Sequence, residues 1–123
     1  MNGTNARPKT KFYGLYDHAA SFGFEGPFAL PSRHTEGRQK LDLATPFNFV
    51  TTADIIGGNS GSPVIDWDGA IVGLIFDGNI ESLVGDYVYD DTANRAVSVT
   101  TNAMTEALRK LYGAQKLVDE LMQ

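Results

Sequence analysis

Apolar positions fall at helical spacing near both ends of the chain and at strand spacing through its middle. Residues 1–11 are polar and read as a frayed lead-in. From Phe12 to Phe28 aromatic residues dominate; Tyr13, Tyr16 and Ala20 predict a short helix over 14–20, which Gly23, Gly26 and Pro27 break. Pro31 and Ser32 predict the start of a second helix running to about Lys40. Phe47, Phe49 and Thr51 alternate against Asn48 and Val50, which predicts a strand over 46–52. Residues 63–66 and 70–76 predict a hairpin turned by Trp67-Asp68-Gly69, its second strand broken by Asp77-Gly78-Asn79. Residues 87–89 and 96–99 predict two further strands around a polar turn over 90–94. Met104, Leu108 and Leu111 then share one face of a predicted helix over 101–112, with Thr101 or Asn102 as N-cap and Gly113 as its stop. A last helix is predicted over 114–122, with Leu117 and Leu121 as its apolar positions.

Between the first two central strands stands Gly57-Gly58-Asn59-Ser60-Gly61-Ser62-Pro63-Val64. Gly57, Gly58 and Gly61 let the backbone turn sharply around Ser60. Such a turn can gather backbone N–H groups into one concavity, where they stabilise a developing oxyanion. The segment therefore reads as a nucleophile loop. A glycine-rich hairpin loop with an incidental serine is the plainer reading of the same residues.

Composition narrows the choice. A hydrophobic fraction of 42% supports a core, and a net charge of −5 argues against a nucleic-acid partner. No apolar run reaches the roughly 18–20 residues of a membrane span. Without cysteine there is no disulfide framework, thiolate nucleophile or cysteine-zinc site. His18 and His34 do not make a metal site by themselves, and both lie in stretches predicted to be helical and polar. Glu81, Asp86, Asp90 and Asp91 form an acidic patch without calcium-loop spacing, read as solvated loop charge. Trp67 reads as a turn aromatic. No cofactor and no metal are expected.

Several motifs in one order carry a more specific signal: Asp42-Leu43-Ala44-Thr45-Pro46, Asn48-Phe49-Val50, Asp54-Ile55, the serine loop, and Gly73-Leu74-Ile75-Phe76-Asp77-Gly78-Asn79. Ile80-Glu81-Ser82, Gly85-Asp86, residues 94–99 and the tail Ala107-Leu108-Arg109-Lys110 follow in turn. Together they resemble the C-terminal end of the bacterial dipeptidyl-peptidase 7 and 11 family of serine exopeptidases. The resemblance covers nearly the whole chain and weakens before Tyr13.

The resemblance implies a mainly β fold with terminal helices: residues 12–123 as one β-barrel, the C-terminal half of a chymotrypsin-like double barrel, ending in two helices. Ser60 matches the nucleophile, and the N–H groups of Gly58 and Ser60 match the oxyanion hole. Phe76, Asp77 and Gly78 match the strand along the substrate. There Asp77 would hold the free α-ammonium, and Gly78 would leave room for an apolar or aromatic side chain before the cut bond. Asp77 also reads as a plain strand-end residue capping a turn. Neither histidine sits in a matching motif, so the general base and its aspartate are expected in an N-terminal barrel outside this chain. The chain is thus expected to be a nucleophile-bearing fragment, inactive alone, acting on peptides with a free N-terminus. A periplasmic or cell-surface location and a homodimer are family-like expectations; residues 1–5 show no signal core.

Two alternatives stand beside this reading. One is a non-catalytic, protease-like binding module. The other is a chymotrypsin-fold endopeptidase in which Asp54, six positions before Ser60, binds a basic side chain.

Overall fold

A computed structural model describes residues 8–88 and 90–123. Its chain order is strand β1 (Lys9–Lys11), helix α1 (Phe12–Ser21), helix α2 (Ser32–Gly37), strands β2 (Pro46–Thr51), β3 (Pro63–Ile65), β4 (Ile71–Gly78) and β5 (Ala96–Thr100), and helices α3 (Thr101–Lys110) and α4 (Gln115–Leu121). The strands form one sheet in the order β1-β2-β5-β4-β3. A mainly antiparallel sheet with four helices is consistent with part of a chymotrypsin-like barrel.

Among the described residues, one compact unit comprises residues 8–10 and Asn48–Thr101. Its centre is β5, whose residues alternate between faces: Ala96, Ser98 and Thr100 are buried, Val97 and Val99 partly so. β5 pairs antiparallel with β2 (Phe49↔Ser98, Val50↔Val97) and with β4 (Leu74↔Val99, Ile75↔Ser98). Small residues on the buried face of β5 leave room for bulkier neighbours. Gly73 in β4 fills the same need, since a Cβ there would strike the Phe49 ring and the Val99 carbonyl. The β3–β4 hairpin turns through Asp66, whose Oδ1 accepts the N–H groups of Asp68 at 3.0 Å and Ala70 at 2.9 Å. Gly69 takes φ 82° there, and Trp67 is fully exposed at the tip.

The second unit comprises Lys11–Phe47 and Asn102–Gln123. α1 buries Phe12, Tyr16 and Ala19, and the Phe12 ring packs 4.8 Å from that of Phe47. The Tyr16 hydroxyl donates to the His34 carbonyl at 2.9 Å. α1 ends in a Schellman-type cap: Gly23 takes φ 67°, and the Phe24 N–H reaches back to the Ala19 carbonyl at 2.8 Å. Gly37 lies against Leu111, and the Arg33 guanidinium sits 4.6 Å above the Tyr112 ring.

Several expectations are corrected. Residues 9–11 of the lead-in are a strand: the Asn48 N–H donates to Thr10 Oγ1, and the Val50 N–H to the Pro8 carbonyl, each at 3.0 Å. The buried stripe of α1 is Phe12-Tyr16-Ala19, while Tyr13 and Ala20 are exposed. The second helix ends at Gly37 and continues as a tighter 3-10 turn over Arg38–Lys40. Tyr87 and Val88 form an exposed turn instead of a strand, and Tyr89 lies outside the described residues. Residues Ile80–Asp86, treated in sequence as loop, form a 3-10 helix. α3 begins directly after β5, so Thr101 and Asn102 are inside the helix, not at its cap. In α4 the buried residue is Val118; Leu117 and Leu121 are exposed.

Candidate functional site

The serine loop is held by backbone bonds to β4 on one side and by the Asn59 side chain on the other. The Gly61 N–H donates to the Ile75 carbonyl at 2.7 Å, and the Ile75 N–H returns to the Ser62 carbonyl at 3.0 Å. These bonds run the β3–β4 ladder up to the serine. On the other side, the Ile56 N–H donates to Asn59 Oδ1 at 2.8 Å, and the Asn59 N–H to the Ile56 carbonyl at 3.2 Å. Gly58 takes φ 103° and Gly61 φ 89°, conformations that a side chain would strain. Among the described residues, the N–H groups of Gly58 and Ser60 meet no protein acceptor, while those of Asn59, Gly61 and Ser62 are all taken. The Ser60 hydroxyl is 3.5 Å from the Phe76 carbonyl, the outer limit of a hydrogen bond. It is exposed and only loosely held.

Facing this loop, β4 carries a bulge. Ile75 pairs with Ser98 and Asp77 with Val97, so Phe76 is the residue the ladder skips. Without the bulge, Ile75 and Asp77 would share one face of the strand; the extra residue turns Asp77 to the other. The predicted break after Phe76 is therefore a bulge, and the strand runs on through Gly78. Asp77 Oδ1 accepts the N–H of Gly78 at 2.8 Å, which orients the carboxylate.

Loop and bulge line one cavity of about 500 Å³, together with the 3-10 helix that follows. Ser60, Phe76, Asp77 and Gly78 are all brought to it. Gly57 and Asn59 line it, whereas Gly58 does not. Ile55, Ile56, Ile80 and Leu83 supply apolar wall, and among the lining residues Asp77 carries the one charge. Asp54 is exposed and not among these residues, so the cavity does not place it as a binding carboxylate for a basic side chain. His18 packs its ring 5.2 Å from those of both Phe22 and Phe28. Hydrogen bonding from the Thr92 side chain, and then from the Thr92 N–H at 2.8 Å, holds the Asp90 carboxyl below its usual value.

Sequence reasoning missed Asn59 and Ser82 as parts of the site. An Asx residue beside glycines is a turn-fixing signal and pointed to the first. The second depends on a 3-10 helix that no periodicity announces.

The sequence model of peptidase S46 matches residues 1–123. The chain belongs to the peptidase S46 family. It is 46% identical over 76 residues to a dipeptidyl-peptidase 7 of Phocaeicola vulgatus, covering 62% of this chain and 10% of that protein. A dipeptidyl-peptidase 7 of Capnocytophaga gingivalis is 34% identical over 105 residues, covering 79% of this chain and 15% of the relative. An Asp/Glu-specific dipeptidyl-peptidase of Shewanella putrefaciens is 38% identical over 78 residues, covering 63% and 11%. The crystal structure of Porphyromonas endodontalis DPP11 with the dipeptide Arg-Asp superposes with a TM-score of 0.80 at 26% identity, over 98% of this chain and 18% of that one. This S46 chain thus spans between a tenth and a fifth of the length of these relatives.

Proposed function

We propose that this chain is the nucleophile-bearing part of a serine dipeptidyl aminopeptidase that releases dipeptides with an apolar or aromatic second residue. The observation that carries the reading is the convergence of Ser60, Asp77 and Gly78 on one cavity with Ile55, Ile56, Ile80 and Leu83 in its wall.

The chemistry is acyl transfer. Ser60 attacks the carbonyl after the second residue, and water then hydrolyses the acyl-enzyme. A histidine from the longer protein takes the serine proton and returns it to the leaving amine. The unpaired N–H groups of Gly58 and Ser60 would stabilise the tetrahedral oxyanion, at about 3–4 kcal/mol per donor. Asp77 pairs with the substrate α-ammonium, which fixes the cut two residues from the terminus. The relatives carry both dipeptidyl-peptidase 7 and Asp/Glu-specific names. Apolar specificity is favoured here because an acidic side chain would be desolvated beside Asp77 with no cation among the lining residues.

The test uses the intact peptidase that contains this chain, with free-amine and acetylated dipeptidyl substrates. Cleavage of the free-amine apolar substrate, lost on acetylation and in Ser60→Ala, is the expected result. Equal cleavage of acetylated substrates would overturn the exopeptidase assignment. The chain alone is expected to be inactive.

A further inference from the structure

We propose that Ser82 sets the size and polarity of the cavity beside Gly78, and thereby selects the side chain that precedes the cut bond. This rests on the reading of the Ser60 cavity as a dipeptidyl-peptidase site.

Gly78 has no side chain, yet the space over its α-carbon is occupied. A Cβ built there would run into Ser82 Oγ, and would lie 3.3 Å from Ser82 Cβ and 3.6 Å from Ile55 Cδ1. The room that glycine leaves on β4 is therefore taken back by a residue four positions on, delivered by the 3-10 helix. Ser82 is fixed in that position. Its N–H donates to the Asn79 carbonyl at 3.0 Å, and its hydroxyl donates to the same carbonyl at 2.6 Å. With its proton committed, Ser82 Oγ offers only lone pairs to the cavity it lines.

Two consequences follow for a ligand. The space over Gly78 is bounded by a hydrogen-bonded group, so the room there depends on the residue at 82. Of the polar side chains near Gly78, the Asp77 carboxylate and Ser82 Oγ accept hydrogen bonds, and the Asn79 amide is engaged with the Ala93 carbonyl and the Arg95 N–H. An acidic side chain there would face the Asp77 carboxylate with no cation among the lining residues, whereas an aliphatic side chain or a ring bearing an N–H would not be so opposed.

The intact peptidase is assayed with free-amine dipeptidyl substrates bearing Val, Phe, Trp or Glu second. Ser82→Gly is expected to raise the Trp-to-Val ratio of kcat/KM about tenfold, the scale of a small change of volume in an apolar pocket. Ser82→Leu is expected to move that ratio the other way. Gly78→Ala is expected to impair cleavage by collision with Ser82 Oγ, and Gly78→Ala with Ser82→Gly to restore most of it. Ratios within one variant are insensitive to the fraction folded. If the parent releases dipeptides and neither Ser82 variant shifts the ratio, the Ser82 assignment is wrong and the site reading survives. If the parent releases none, both fall.

Discussion

Asn59 and Ile56 hold each other twice across the turn that precedes the serine. The Ile56 N–H donates to Asn59 Oδ1 at 2.8 Å, and the Asn59 N–H returns to the Ile56 carbonyl at 3.2 Å. Only Gly57 and Gly58 lie between them, so this pair decides which way the peptide planes of both glycines face. Two glycines alone would leave that orientation free. The Asn59 side chain therefore prearranges the backbone next to Ser60 without a contact from outside the loop.

That arrangement makes Asn59 a positioning residue. Asn59→Ala leaves the Ile56 N–H to water, which an exposed residue tolerates, so the stability loss is expected to be about 1 kcal/mol. In the intact peptidase, kcat is expected to fall by about 10²-fold, the scale of a small misplacement of reacting groups, with KM little changed. Asn59→Asp keeps the acceptor and is expected to keep the thermal midpoint. An Ala variant with unaltered kcat would leave the clasp a mere turn feature.

Gly73 gives a second prediction, on stability alone. It is buried in β4, and a Cβ would meet the Val99 carbonyl and the Phe49 ring. The carbonyl cannot yield easily, because it is backbone of the central strand, so the half-buried Phe49 ring would have to shift. Gly73→Ala is expected to lower stability by about 1–3 kcal/mol, the cost of overpacking. Denaturant unfolding measures it, and an unchanged midpoint would mean that the Phe49 ring moves freely.

β2 and α3 were legible because alternation or helical spacing repeats over several residues. The β3–β4 hairpin followed from its Asp68-Gly69 turn, while α1 and α4 stand where predicted although Tyr13, Ala20, Leu117 and Leu121, on which their spacing was read, are exposed. β1 was not legible, because Lys-Thr-Lys has no apolar face and forms a strand only through bonds to β2. Likewise, the bulge at Phe76 lies in a ladder register, which depends on Ser98 and Val97 of another strand. Ser60, Asp77 and Gly78 could be read from motif resemblance, but Ser82 reaches Gly78 through a helix without apolar periodicity. Site residues carried by tertiary geometry are the ones sequence hides.

A third prediction concerns Asn79, which ties the end of β4 to the polar turn before β5. Its Oδ1 accepts the Arg95 N–H at 2.8 Å, its Nδ2 donates to the Ala93 carbonyl at 2.8 Å, and its own N–H donates to the Arg95 carbonyl at 2.9 Å. Asn79→Ala removes both side-chain bonds and leaves a partly buried Arg95 N–H unpaired. A loss of about 1–3 kcal/mol is expected from that group. Proteolysis should then nick residues 90–95 faster than in the parent. Equal nicking rates would show that the turn is held by the Arg95 guanidinium, which donates to the Asp91 and Asn94 carbonyls.

Tyr16 supplies a pH-dependent prediction. Burial pushes its phenol above the ordinary 10.0, and the Arg38 guanidinium, 5.3 Å from the ring, partly offsets this. In the unfolded chain the phenol returns to about 10, so the folded state holds the proton more tightly. Its contribution is fully present below pH of about 10 and is lost as pH rises toward the folded value. Tyr16→Phe removes the titrating group and also the hydrogen bond to the His34 carbonyl, a loss of about 1 kcal/mol at neutral pH. Urea midpoints of the two proteins, compared from neutral pH to above 10, are expected to converge as the phenol ionises in the unfolded parent. A gap that stays constant through that range would mean that Tyr16 keeps its ordinary pKa in the fold.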